Sequence, residues 1–192
     1  MLLLTGAPAR SQNAVETVVF VRHGEKPDKG LGQLNCQGLN RALALPSVIA
    51  KTFGRPDAIF APDPSKQKED DGEPFDYVRP LATVEPTAIS FGLPVDTSIG
   101  FSDTEGLQAA LEQPRHRNAL ILIAWEHKVI QDTVRALLTA HGGDVTEVPK
   151  KWHGDDFDSI YVVTITRTGD TAKATFALKR EGLDGQKDTC PQ

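Results

Sequence analysis

A three-layer α/β/α domain, with a mainly parallel central sheet and a late antiparallel hairpin, is what this sequence predicts. Three observations carry the expectation. A short apolar run, Val18-Val19-Phe20-Val21, ends abruptly in Arg22-His23-Gly24-Glu25. A second run over 119–125 is unbroken in its apolar character, ends in Glu126-His127-Lys128, and is followed by a helical stripe. Late in the chain, two β-rich stretches, 159–165 and 172–178, flank Thr168-Gly169-Asp170. Runs of this length are strands rather than helices, and an uninterrupted apolar one reads as a parallel strand covered on both faces. Two stretches joined through a Gly-Asp turn read as a hairpin.

The first run places its polar residues where open α/β folds hold their ligands, at the carboxyl edge of the sheet. Arg22 brings a rigid fork of donors suited to phosphate or carboxylate. His23 can act as nucleophile, base or ligand near neutral pH. Gly24 leaves room for an anion against the backbone. Turn residues follow over 26–32. From Asn35, the positions Leu39, Ala42, Leu43, Ile49 and Phe53 predict a helix that Gly54 stops. Pro46 inside it predicts a kink or a division, and Arg41 reads as a surface position.

Residues 56–61 predict a second short buried strand. Residues 62–77, rich in Pro, Lys, Glu and Asp and without periodicity, predict a loop beside the ligand edge, either a solvated insertion or a lid. Arg79-Pro80 opens a helix, since proline suits a first turn. Pro86 predicts distortion in its early part. Residues 93–96 suggest a short edge strand and 100–106 a loop. Asp103 and Glu105 then stand before a short helix marked by Leu107, Ala110 and Leu111, where either could serve as a cap. After the central strand, Val129, Ile130, Val134, Leu137 and Leu138 define a helix face closed by Gly142-Gly143.

With 192 residues and a net charge of −5, the chain fits one globular domain with a full core and lacks the basic, aromatic-interleaved face of a nucleic-acid binder. No apolar stretch has the length of a membrane span. The expected division is a leader or signal-peptide remnant over 1–15, one domain over 16–180 and a tail over 181–192. The apolar start suggests export to a periplasmic or secreted location, with a cytoplasmic chain as the alternative. Cys36 and Cys190 are then either free thiols or a staple that ties down the tail. Oligomeric state leaves no mark in the sequence.

Arg22-His23-Gly24-Glu25 at the end of an early apolar strand resembles the signature of the histidine phosphatase superfamily, which includes phosphoglycerate mutases and histidine acid phosphatases. Gly38-Leu39-Asn40-Arg41-Ala42 is similar to that family's Gly-x-x-Arg-Ala helix. Arg79 and Thr83 stand at the spacing of its second arginine and following threonine, and His127 falls where its second histidine does. His127-Lys128 replaces the usual His-Gly. The resemblance covers about residues 16–179. It implies a metal-independent phosphomonoester hydrolase working through a phosphohistidine, without cofactor, on a small phosphorylated substrate. In that scheme His23 is the nucleophile, and Arg22, Arg79 and His127 bind the phosphoryl oxygens. A carboxylic acid protonates the leaving group: Glu126, Glu105 or Asp103. Adjacent strand residues face opposite ways, so Glu126 and His127 could meet one ligand only if the chain bends there.

Two alternatives accompany that implication. A pseudoenzyme would bind a phosphorylated or acidic ligand without turnover. A mutase fits less well, because Glu25-Lys26-Pro27 replaces the continuation typical of mutases. There is no phosphate-cradling glycine loop, no dinucleotide pattern and no nucleophile elbow. His116, His141 and His153 lack metal-ligand spacing and read as surface residues.

Overall fold

The computed structural model describes residues 13–191. Its central sheet has six strands in the order β5-β2-β6-β1-β7-β8. These are β1 (Ala14–Arg22), β2 (Ala58–Phe60), β5 (Val95–Asp96), β6 (Leu120–Trp125), β7 (Ser159–Thr168) and β8 (Thr171–Arg180). Strand β6 lies parallel to both β1 and β2, and β2 is parallel to β5. β7 runs antiparallel to β1, and β8 to β7, which is the expected late hairpin. The expected leader lies outside the described residues over 1–12; Ala14 and Val15 already belong to β1.

Alternation along the strands builds two cores. Val18 and Phe20 of β1, with Ile121, Ile123 and Trp125 of β6, pack against α3 (Thr104–Leu111) and α4 (His127–Ala140). Val19 and Val21, with Leu122 and Ala124, pack against α1 (Cys36–Thr52) and α2 (Arg79–Phe91). Successive strand side chains point to opposite faces, so one apolar run seeds both layers. Among the described residues no helix is long and apolar enough to cross a membrane.

Four expectations need correction. α1 runs unbroken through Pro46, so that proline does not divide it, and α2 continues through Pro86. Residues 62–77 are not irregular: β3 (Gln67–Asp70) and β4 (Glu73–Asp76) form a separate two-stranded hairpin. Its turn, Asp71-Gly72, takes positive φ at both residues (53° and 83°), the geometry that matches hairpin twist. Arg41 is fully buried rather than on the surface. It shares the inner face of α1 with Gly38, Ala42, Leu45 and Ile49, and its charge is met by remote carboxylates. His116 is buried too, edge-on to Phe60 at 5.8 Å.

The tail is anchored. Cys36 and Cys190 form a disulfide across 154 positions. The Asn40 side-chain amide donates to the carbonyls of Lys187 and Thr189, both at 2.9 Å.

Candidate active site

The carboxyl end of β1 hands the chain to a turn pressed against the start of α1. Asn35 caps that helix by accepting from the Gly38 amide. A Cβ on Gly24 would lie 3.0 Å from Gly38, and one on Gly38 would lie 2.3 Å from the Glu25 carbonyl oxygen. Both glycines therefore serve close backbone approach. The Gly24 N–H donates to Thr83 Oγ1 at 3.0 Å, and the Thr83 hydroxyl donates to the Arg79 carbonyl at 2.8 Å. Thr83 thus ties the first turn of α2 to the residue after His23, and Gly24 offers its amide to the protein.

His23 is buried beside the end of β6, its N–H donating to the Trp125 carbonyl at 3.0 Å. Its Nδ1 lies 2.8 Å from the Gly24 carbonyl oxygen. A carbonyl only accepts, so Nδ1 carries the proton and Nε2 keeps its lone pair. Burial, reinforced by the charges of Arg22, Arg79 and Lys68, holds the imidazole pKa well below its ordinary value, against the pull of the Gly24 hydrogen bond. The ring is neutral at pH 7.

Arg22 donates through Nη1 to the carbonyls of His153 (3.3 Å), Gly154 (2.8 Å) and Asp156 (3.0 Å). Phe157 lies 4.0 Å from its guanidinium carbon and 6.2 Å from the His23 ring. Arg79, at the start of α2, donates through Nη2 to Asp70 Oδ2 at 2.6 Å and through Nη1 to the Gly30 carbonyl at 3.2 Å. The Nε of each arginine is buried without a partner among the described residues. Tyr77 meets the His23 ring edge-on at 6.1 Å, and its hydroxyl is likewise buried and unpartnered.

At the end of β6 the chain turns directly into α4. Glu126 is the N-cap of α4 and His127 its first residue, so neither is held to strand alternation. Glu126 Oε2 accepts from the Lys128 and Val129 amides at 3.0 and 3.3 Å. Oε1 lies 3.0 Å from His127 Nδ1, although not in hydrogen-bond alignment. Burial alone would raise the Glu126 pKa; His127, Lys68 and the Val129 amide outweigh it and bring it to about 2. Glu126 is therefore a carboxylate at rest. Asp103 spends its side chain capping α3 through the Gly106 amide, and Glu105 is exposed in the first turn of the same helix.

Sequence reasoning missed Lys68 and Asp70. Its one available signal was Asp71-Gly72, a two-residue hairpin turn, but the flanking strands lack the apolar alternation that makes such a turn legible. Lys68 Nζ lies 4.8 Å from the centre of the Tyr77 ring and 5.6 Å from that of Phe101. A cavity of about 440 Å³ at the β2–β5 edge, lined by Ile59, Asp96 and His116 among others, includes none of these residues.

Comparison with solved structures decides the fold. A mycobacterial glucosyl-3-phosphoglycerate phosphatase superposes with a TM-score of 0.56 at 14% identity, over 86% of this chain and 97% of that one. A phosphoserine phosphatase variant from Entamoeba histolytica, solved with phosphoserine, gives 0.51 at 13%, over 88% and 98%. Phosphoglycerate mutase from Plasmodium falciparum gives 0.52 at 11%, over 88% and 92%. This is the histidine phosphatase fold. No protein-family model matches the chain, and no curated protein does. Within the histidine phosphatase fold, β1 and β6 are the adjacent central strands, and their carboxyl ends bring His23 and Glu126-His127 to one edge.

Proposed function

We propose that the protein is a phosphatase of small phosphomonoesters that works through a phosphohistidine on His23 and needs neither metal nor cofactor. The observation that carries this reading is the state of His23: a buried, neutral imidazole with its proton fixed on Nδ1, set among buried arginine N–H groups that have no partner. A buried donor left unpaired costs about 1–3 kcal/mol. An anion arriving at the site would remove that cost.

In the proposed reaction Nε2 attacks phosphorus as the ester P–O bond breaks, forming the N–P bond. Arg22, Arg79 and His127 hold the oxygens and spread the developing charge. Glu126 gives a proton to the leaving oxygen. The incoming phosphate ester, by its negative charge, raises the Glu126 pKa from about 2, and the carboxylate takes that proton from solvent as the ester binds. Water, deprotonated by the same carboxylate, then attacks phosphorus and breaks the N–P bond, releasing phosphate and the free imidazole. The Cys36–Cys190 bond supports an oxidising compartment, and we place the protein in the periplasm or outside the cell.

One observation favours the binding-only alternative: Asp70 already occupies Arg79 Nη2. Rapid quench with a radiolabelled aryl phosphate separates the two readings. Turnover predicts a burst and an acid-labile, alkali-stable label that is absent in His23→Ala. Phosphate binding with no label at all would discard the enzyme reading. Glu126→Gln is expected to slow hydrolysis of alkyl phosphates about 10²-fold or more while sparing good aryl leaving groups. Unchanged alkyl-phosphate rates would move the acid role to Glu105 or Asp103.

A further inference from the structure

The hairpin of β3 and β4 pairs with no other strand among the described residues, yet it places charged residues at the site. Lys68 and Asp70 sit two apart in β3 and so project from one face. Asp70 takes Arg79 Nη2 at 2.6 Å and the Gly32 amide at 3.1 Å, while Gly30 takes Nη1. Both terminal nitrogens of Arg79 are therefore engaged by the protein's own acceptors, and its charge is offset by a carboxylate. Lys68 is in the opposite condition. No carboxylate lies within ion-pair distance of its ammonium among the described residues. The group is half-buried and rests over Tyr77 and Phe101, and Tyr77 is the ring that abuts His23. Its charge lowers the pKa of both His23 and Glu126.

We infer that Lys68 is a catalytic phosphoryl-binding residue: its ammonium contacts the transferred phosphoryl group, supplying from the hairpin the charge that Asp70 takes from Arg79. This rests on the phosphatase reading for its role in turnover, but not for anion binding. Burial lowers the Lys68 pKa and nearby Arg79 adds repulsion, only partly countered by Glu126 and Asp70. A cation held so close to another is stabilised when a dianion enters between them. The Tyr77 ring lies beneath the same ammonium, and its hydroxyl, buried beside Arg79 without an aligned hydrogen bond among the described residues, is a further donor for that anion.

The test compares wild type, Lys68→Met and Lys68→Arg for inorganic phosphate binding by calorimetry, and for kcat/KM on an aryl phosphate and on phosphoserine. Lys68→Met is expected to weaken phosphate binding at least about tenfold and to lower kcat/KM on both esters by a common factor of about 10²; Lys68→Arg restores much of each loss. Unchanged phosphate affinity overturns the inference. So does a loss confined to phosphoserine, which would make Lys68 a contact for the substrate carboxylate. If the wild type turns over neither ester, the phosphatase reading fails, while the phosphate titration still decides whether Lys68 binds the anion.

Discussion

Buried arginines occur in this protein in two contrasting settings. Arg41 is saturated. Its Nε and Nη2 donate to Glu25 at 2.8–3.1 Å, Nη1 donates to Glu181 at 2.6 Å and to Asp158 at 3.4 Å, and Nη2 also reaches Asp184 at 3.1 Å. Arg22 and Arg79 are each left with a buried Nε that nothing accepts. The first arrangement joins the turn after His23 to α1 and to the tail, and has no donor to spare for a ligand. The second leaves the Nε of each guanidinium without an acceptor among the described residues. One residue type thus does structural work where four carboxylates surround it, and keeps a donor unpaired where one carboxylate or backbone carbonyls alone meet it.

Substitution breaks or sharpens that contrast. Arg22→Met and Arg79→Met should lower kcat/KM by about 10²–10³-fold; Arg79→Met also strands the buried Asp70 and so lowers the urea midpoint, but by less than the loss of Arg41. Arg41→Met should strand several buried carboxylates and destabilise the fold by about 3–5 kcal/mol, read from urea unfolding. A stability loss in Arg79→Met equal to that in Arg41→Met would erase the distinction between the two settings.

The tail supplies part of the Arg41 shell, so the disulfide that anchors it enters the same comparison. Cys36→Ser with Cys190→Ser should lower stability by about 2–5 kcal/mol, since the bond closes a loop across 154 positions. A double variant as stable as wild type would show that the Arg41 ion cluster holds the tail by itself.

The smallest effect is on pH dependence. Burial, aided by Asp158 and Glu25, raises the Glu181 pKa to about 8 despite Arg41. The folded chain therefore keeps a proton that the unfolded chain gives up near 4.5. Its contribution is complete below about 4.5 and is lost as pH rises through about 8. His23 and Glu126 act in the other direction, because both have lowered values: their contributions are present above about 6.5 and 4.5, respectively, and are lost on acidification. Melting curves across this range should show Glu181→Gln flattening the decline between about pH 4.5 and 8 and leaving the contributions of His23 and Glu126 in place. A decline over that window identical to wild type would reassign it to another group.

The sequence by itself determined the elements whose signals are local. β1, β6, the β7–β8 hairpin and the apolar face of α4 follow from strand-length runs, turn residues and helical spacing. Arg22, His23 and His127 are legible as ligand-edge residues because each stands at or just past the end of such a strand. Only the tertiary structure decided which polar residues are buried and what satisfies them. Arg41 reads as a surface residue until Asp158, Glu181 and Asp184, more than a hundred positions away, are brought to it. Lys68 and Asp70 read as loop charges because a solvated hairpin has no apolar period; their importance comes from Tyr77, Phe101 and Arg79 beside them. The chain's continuity through Pro46 and Pro86 belongs with these. Backbone preference alone predicts a kink or division at Pro46 and distortion at Pro86, whereas packing of both helices against one face of the sheet keeps each continuous. Apolar periodicity is a property of neighbours along the chain, but the burial of a charge depends on partners that folding alone brings into contact.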